Sequence, residues 1–142
     1  MNIKQALKAK NKLVAEIKEL NMLLQQNNSM EESATRRFDV KELVENIKQT
    51  SEELITLKAK IHRANVSVFE KIFTMAELKG RVKELKKLST EEGKISSRYS
   101  GTVETKSVVL TALDVRNMVK DLESQIEKIQ DELDVHNATT TI

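Results

Sequence analysis

The sequence predicts a mainly α-helical protein in which long antiparallel helices form a coiled-coil-like bundle. Apolar residues recur three and four positions apart over several long segments, the pattern of a helix that lays one face against another helix. Proline is absent and glycine occurs three times in 142 residues, so few positions interrupt a helix. Hydrophobic residues make up 39% of the chain and charged residues 32%, which suits a narrow apolar stripe. We expect a single helical domain over residues 1–142.

A central helix is predicted over residues 39–65. Asp39 followed by Glu42 has the form of a capping box, which marks where this helix begins. Thr50 and Ala64 occupy two positions of the same heptad frame, so the frame continues without a break. The apolar stripe consists of Val40, Leu43, Ile47, Leu54, Leu57 and Ile61.

A first helix is predicted over residues 2–26, with Lys10 at one core-type position of its stripe. The segment 27–38 is polar and has no periodicity, so it predicts a loop. Because the helices on either side of this loop have similar lengths, we expect them to form an antiparallel hairpin. The stripe of the first helix consists of Ile3, Ala6, Leu13, Ile17, Leu20 and Leu24.

Residues 66–73 are ambiguous, because their apolar residues have helical spacing while their β-branched and aromatic content suits a short strand. Thr74 and Glu77 have the form of another capping box. We therefore place a break before Met75 and a third helix over residues 74–92, with Gly93 as its stop. Its stripe consists of Met75, Leu78, Val82 and Leu85.

The helical period disappears over residues 94–113, where Ser, Thr and Val dominate and Gly101 is the strong turn signal. This stretch predicts a small β-hairpin or an extended loop. The last helix is predicted over residues 114–137, with Asp114 as its cap. Its stripe consists of Val115, Val119, Leu122, Ile126, Ile129 and Leu133, and reaches His136.

Charge is distributed unevenly along the chain, although the net charge is only +2. Residues 1–26 carry five Lys and two Glu, and residues 74–98 carry seven basic and four acidic residues. Residues 114–142 carry three basic and seven acidic residues. Because interhelical charge pairs commonly set helix partners, we expect basic and acidic helices to lie side by side.

Composition excludes several classes of site. The chain has no cysteine, so disulfides, thiolate metal sites and thiol nucleophiles are excluded. The lysine-containing start lacks the apolar core of a signal peptide, and no apolar run has the length of a membrane span. We expect a cytoplasmic protein without a membrane partner.

Three lysines, Lys4, Lys8 and Lys12, stand four residues apart and line one face of the first helix. Like charges at this spacing destabilise an isolated helix, so a counter-charge is expected. The candidates are the acidic last helix, a subunit partner, nucleic acid phosphate or an anionic membrane. Nucleic acid is not favoured, because no set of aromatic residues for base stacking accompanies the lysines. A membrane surface is not favoured either, because the helix has no Trp or Phe on its apolar face.

No catalytic, metal or cofactor constellation is visible. The three glycines form no phosphate-binding loop, and neither His62 nor His136 has a second ligand at metal-site spacing. Arg63 and Asn65 are the most specific polar pair. In the simplest interpretation Asn65 ends the central helix and Arg63 pairs with a nearby acid. A cleft that joined Arg63 to Tyr99 would instead favour an enzyme.

Several elements recur in an order that suggests a family. The chain resembles a family of small, uncharacterised bacterial proteins described as septicolysin-like. The resemblance implies a mostly helical, coiled-coil-like protein with no established activity. The chain lacks the Asp-Gly turn that the family has after its R-x-N element and carries Ala138 in place of a tryptophan. The matching elements are the opening MNIKQAL, I-x-R-x-N at Ile61, Arg63 and Asn65, R-Y-S at Arg98, Tyr99 and Ser100, the D-V helix start at Asp114 and Val115, and the closing LDVHNATTTI.

The sequence thus favours a non-enzymatic, self-associating interaction protein with no cofactor. Its expected partner is a further copy of the chain, and a different protein partner is the other possibility of this class. The alternative function is nucleic-acid association through the Lys4, Lys8 and Lys12 face.

Overall fold

The computed structural model describes residues 1–96 and 101–142, and this part of the chain is mainly helical, as predicted. It contains four α-helices and one two-stranded antiparallel sheet. The elements are α1 (Ile3–Asn27), α2 (Val40–Ala64), α3 (Phe69–Lys86), β1 (Gly93–Ser96), β2 (Val103–Lys106) and α4 (Ala112–Thr139), with a 3-10 turn at Val66–Val68 before α3.

The helices α1 and α2 form the expected antiparallel pair. The start of α1 and the end of α2 both contact the C-terminal residues 136–140, so the two helices run in opposite directions. Asp39 caps α2 as predicted, because its side chain accepts hydrogen bonds from the backbone of Lys41 and Glu42. The predicted stripes of α1 and α2 are buried or half-buried along their whole length.

The predicted break before Met75 is wrong. The helix α3 begins at Phe69, and the Thr74 hydroxyl donates to the Glu70 carbonyl at 2.7 Å inside the helix. The helical spacing of the apolar residues in 66–73 therefore prevails over their β propensity. Residues 69–73 belong to α3, and Val68 is buried in the 3-10 turn before it. Thr74 satisfies its hydroxyl on the preceding turn instead of capping a new helix.

The predicted end of this helix near residue 92 is also wrong, since α3 ends at Lys86. Ser89 and Thr90 follow, and both residue types favour turns over helix. Gly93 begins β1 with φ +88°, so it does not cap a helix. Of the two structures predicted for this stretch, a small hairpin or an extended loop, the structure has antiparallel strands: β1 and β2 pair with Gly93 opposite Lys106, and Gly101 has φ +62°.

The helix α4 begins two residues before the predicted start. The backbone N–H of Asp114 donates to the Thr111 hydroxyl at 3.1 Å, and that of Thr111 donates to the Asp114 carboxylate at 3.0 Å. This reciprocal arrangement makes Thr111 the cap and Asp114 the third helical residue, so Asp114 is not the cap. The stripe of α4, including His136, is buried or half-buried as predicted.

The chain divides into two compact units, and the expectation of a single domain stays a prediction. One unit comprises Met1–Ser67 with Asp134–Ile142, and its buried apolar residues include Ile3, Ala6, Leu43 and Ile61. The other comprises Val68–Leu133, and its core cluster consists of Leu78, Val82, Val119 and Leu122.

Candidate functional site

The start of α1 is fixed by hydrogen bonds to the C-terminal residues of the chain. Asn2 caps α1 in a reciprocal capping box with Gln5, which the sequence analysis did not identify. The Asn2 side-chain amide also donates to the Ala138 carbonyl at 3.2 Å, and the Ile3 N–H donates to the Thr140 carbonyl at 3.1 Å. Ile3 is fully buried as a result of this arrangement. We call the contacts of residues 2–3, 65, 136 and 138–142 the terminal junction.

The end of α2 joins the same junction through a histidine. Asn65 is the C-cap of α2, as expected, and its side-chain oxygen lies 3.1 Å from His136 Nε2. His136 Nδ1 lies 3.1 Å from the Thr140 hydroxyl. Because an amide oxygen only accepts, Nε2 carries the proton in the neutral imidazole and Nδ1 accepts from Thr140. Both ring nitrogens are therefore engaged, which makes His136 a structural link between two helix ends.

Arg63 does not share this environment with Asn65. Its side chain is exposed, and it forms no ion pair with any residue of 1–96 or 101–142. Tyr99 lies outside the described residues, so its candidate role in binding stays a prediction. Asn65 instead contacts His136, which in turn contacts Thr140. The heptad register placed His136 on the buried stripe, but nothing in it identified Asn65 as the partner.

The three predicted lysines of α1 are all exposed. Within the described part of the chain, none of Lys4, Lys8 and Lys12 forms an ion pair with a carboxylate. These three lysines therefore do not pair with the acidic residues of the chain that were expected to balance their charge. Lys4 and Lys8 line a shallow groove of about 670 Å³ whose other wall includes Asp134 and Asn137 of α4.

A second groove lies along the α1–α2 pair. It has a volume of about 560 Å³ and is lined by Leu13 of α1 and Leu57 of α2, both half-buried. Its remaining lining residues are exposed polar side chains of α2, namely Gln49, Glu52, Glu53, Thr56 and Lys60. We call this feature the α1–α2 groove.

The α3–α4 unit contains two ion pairs between its helices. Lys71 of α3 lies 2.9 Å from Glu132 of α4, and Lys86 lies 3.3 Å from Glu123. The hydrogen bond and the positive charge of Lys71 lower the pKa of Glu132 below its ordinary value of 4.5. This unit confirms the expectation that a basic and an acidic helix lie side by side.

The described residues contain neither a metal-ligand cluster nor a buried polar side-chain atom without a partner. No group of three or more His, Asp or Glu side chains among them is arranged to hold a metal ion. Every buried side-chain nitrogen or oxygen in these residues has a hydrogen-bond partner, so none is left directed at a ligand.

No helix in residues 1–96 or 101–142 combines the length and the apolar character that crossing a membrane requires.

Comparison with protein-family models, with curated proteins and with solved structures found no match to this chain. The resemblance to the septicolysin-like family therefore stays a prediction carried by the short motifs alone.

Proposed function

We propose that this chain is a non-enzymatic interaction protein that associates with further copies of itself through the heptad-patterned faces of its helices, as a coiled coil does. The carrying observation is that the middle of the α1–α2 stripe is only half-buried. Eight stripe residues are half-buried: Leu13, Ile17, Leu20 and Leu24 of α1, and Val40, Ile47, Leu54 and Leu57 of α2.

Half-burial at these positions leaves apolar surface that a second helix pair can cover. Each Å² of apolar surface removed from water contributes about 25 cal/mol, so a row of partly covered leucines favours association. The stripe keeps its heptad frame over the whole of α2, which supplies the regular spacing that interlocking helices need. The cytoplasmic location expected from the sequence belongs to this proposal.

The double variant L54D/L57D tests the proposal. Two carboxylates on the half-buried stripe would need desolvation, so we expect loss of the assembled state and of much of the helicity. Light scattering reports the mass, and circular dichroism reports the helix content.

The matched control is V44D/I55D, which places two carboxylates on exposed apolar positions of the same helix; Val44 is 52% and Ile55 65% exposed. We expect this variant to keep the mass and helix content of the unmodified chain. Unchanged mass and helicity in L54D/L57D would refute the proposal, and so would disassembly of V44D/I55D alone.

A second candidate function is nucleic-acid association through Lys4, Lys8 and Lys12. The observation that favours it is that these exposed ammonium groups form no ion pair with the described residues. If the three lysines contact three phosphates of duplex DNA, raising the salt concentration from 50 to 200 mM should weaken binding roughly 40-fold. Replacing the three lysines by glutamine should abolish such binding, and Lys58→Gln, on an exposed position of α2, is the control. Binding that survives the triple replacement would reject this candidate.

A further inference from the structure

The polar residues that line the α1–α2 groove have a symmetric order along α2. Glu52 lies four residues before Thr56, and Lys60 lies four residues after it. At about 1.5 Å per residue, each charge stands about 6 Å from Thr56 along the helix axis, in opposite directions. The groove therefore presents opposite charges at equal distances from one point.

This order matters because a twofold interface uses the same patch on both subunits. A twofold axis that passes through Thr56, perpendicular to α2, brings Glu52 of one copy opposite Lys60 of the other. The same operation makes this contact twice. One step further out, Gln49 faces Arg63 of the other copy, seven residues on either side of the axis.

The groups concerned are available for such contacts. Glu52, Thr56 and Lys60 are exposed, and neither charged group forms an ion pair with the described residues. Leu13 and Leu57 are half-buried in the same groove, so a second α2 placed there covers apolar surface between the charge pairs. This is the usual composition of an interface, with an apolar centre and a polar rim.

We propose that the α1–α2 groove is occupied by the α2 helix of a second copy of this chain, antiparallel to the first and related to it by a twofold axis at Thr56. The arrangement rests on the proposed self-association and specifies its geometry. The occupant is a second copy because the charge pattern of the groove is complementary to itself.

Crosslinking at the axis is the first test. The chain has no cysteine, so Thr56→Cys introduces the sole thiol. Two helices packed about 8–10 Å apart bring residues on the axis within the range that a disulfide requires, about 4.4–6.8 Å between Cα atoms. Mild oxidation should yield a covalent dimer of twice 16.2 kDa that reducing agent dissociates.

The control is Lys58→Cys, an exposed position two residues further along α2 and therefore about 200° around the helix. It should remain monomeric on a denaturing gel under the same oxidation. Equal crosslinking of both variants would overturn the proposed geometry.

Charge exchange is the second test. Glu52→Lys and Lys60→Glu each turn both symmetric contacts into like-charge pairs, so each should raise the dimer dissociation constant by about tenfold. The double variant E52K/K60E restores opposite charges across the axis and should recover the original constant. Sedimentation velocity over a concentration series measures the dimer dissociation constant of the unmodified chain and of the three variants.

The outcomes separate the geometry from the proposed function. If the unmodified chain dimerises but T56C does not crosslink and E52K/K60E does not recover, the groove arrangement is wrong while self-association stands. If the unmodified chain is monomeric at every concentration, both the groove arrangement and the proposed self-association fail. Selective crosslinking together with recovery supports the arrangement.

Discussion

The two helix pairs of this chain differ in how far their apolar stripes are buried and in whether ion pairs connect their helices. Between α3 and α4, the cluster of Leu78, Val82, Val119 and Leu122 is buried, and two lysine–glutamate pairs connect the helices. Between α1 and α2, Ile3, Ala6 and Ile61 near the terminal junction are buried, and so is Leu43 near the opposite end, while most of the stripe between these ends stays half-covered. No ion pair between α1 and α2 is present in the described residues.

The difference in ion pairing and in stripe burial supports placing self-association at the α1–α2 pair. The α3–α4 pair has a buried apolar cluster and two interhelical ion pairs, although Phe73 and Leu113 stay exposed. Among the described residues, the α1–α2 pair keeps half-covered leucines, lysines of α1 without an ion pair, and Glu52 and Lys60 without an ion pair beside its groove. The proposed self-association therefore uses the α1–α2 pair.

Truncating one leucine in each pair should give the largest contrast. Leu122 is 4% exposed in the closed cluster, so Leu122→Ala should reduce the free energy of unfolding by about 2–5 kcal/mol. Leu54 is half-buried, so Leu54→Ala at a concentration that favours the monomer should cost clearly less. Urea denaturation measures both free energies.

Raising the protein concentration sharpens this contrast. Association covers the stripe, so the cost of Leu54→Ala should grow with concentration while that of Leu122→Ala stays constant. Equal costs for the two variants at every concentration would show that the two stripes are equally closed.

The terminal junction should have a smaller but specific effect. Asn65→Ala removes the acceptor of the part-buried His136 Nε2, which should cost about 1–3 kcal/mol in the free energy of unfolding. The control is Arg63→Ala on the same helix end, where the side chain is exposed and a change within about 0.5 kcal/mol is expected. If the arginine variant lost as much stability as the asparagine variant, the assignment of the junction would be wrong.

The ion pair between α3 and α4 should give the smallest effect, because both side chains are more than two-fifths exposed. Lys71 lowers the pKa of Glu132 in the folded chain, so the pair stabilises the fold above the unfolded value near 4.5. This contribution is lost as the pH falls through the lowered pKa of the folded state. The difference in thermal midpoint between the unmodified chain and Lys71→Met should therefore shrink in acid.

Two further measurements check the cause of that pH dependence. High salt should reduce the difference at neutral pH, because exposed pairs are screened. Glu132→Gln should remove the pH dependence of the difference altogether. A difference that persists unchanged well below pH 4.5 would assign it to packing of the lysine stem.

Most of the fold could be predicted from the sequence, because the heptad stripes fix which face of each helix is covered. The antiparallel strands at 93–96 and 103–106 match one of the two structures predicted there, since the helical period ends in this stretch and Gly101 is a turn signal. The errors fall where local signals compete. Thr74 has the sequence form of a helix cap but lies inside α3. The cap of α4 is Thr111 and not the predicted Asp114.

The site features were less predictable, because they depend on residues distant in the chain. Asn65 and His136 are 71 residues apart, and no periodicity indicates that their side chains meet. The symmetric charges around Thr56 are visible in the sequence once the groove is known. Only the structure shows that these exposed residues line a groove with Leu13 and Leu57.

The most direct test of the central claim is the mass of the unmodified chain by light scattering across a wide concentration range. Self-association predicts a defined multiple of 16.2 kDa that dissociates on dilution. Little absorbance at 260 nm is expected, because no nucleic acid should be bound. A mass of 16.2 kDa at every concentration would contradict self-association, because the α1–α2 stripe would then remain half-covered without a second copy.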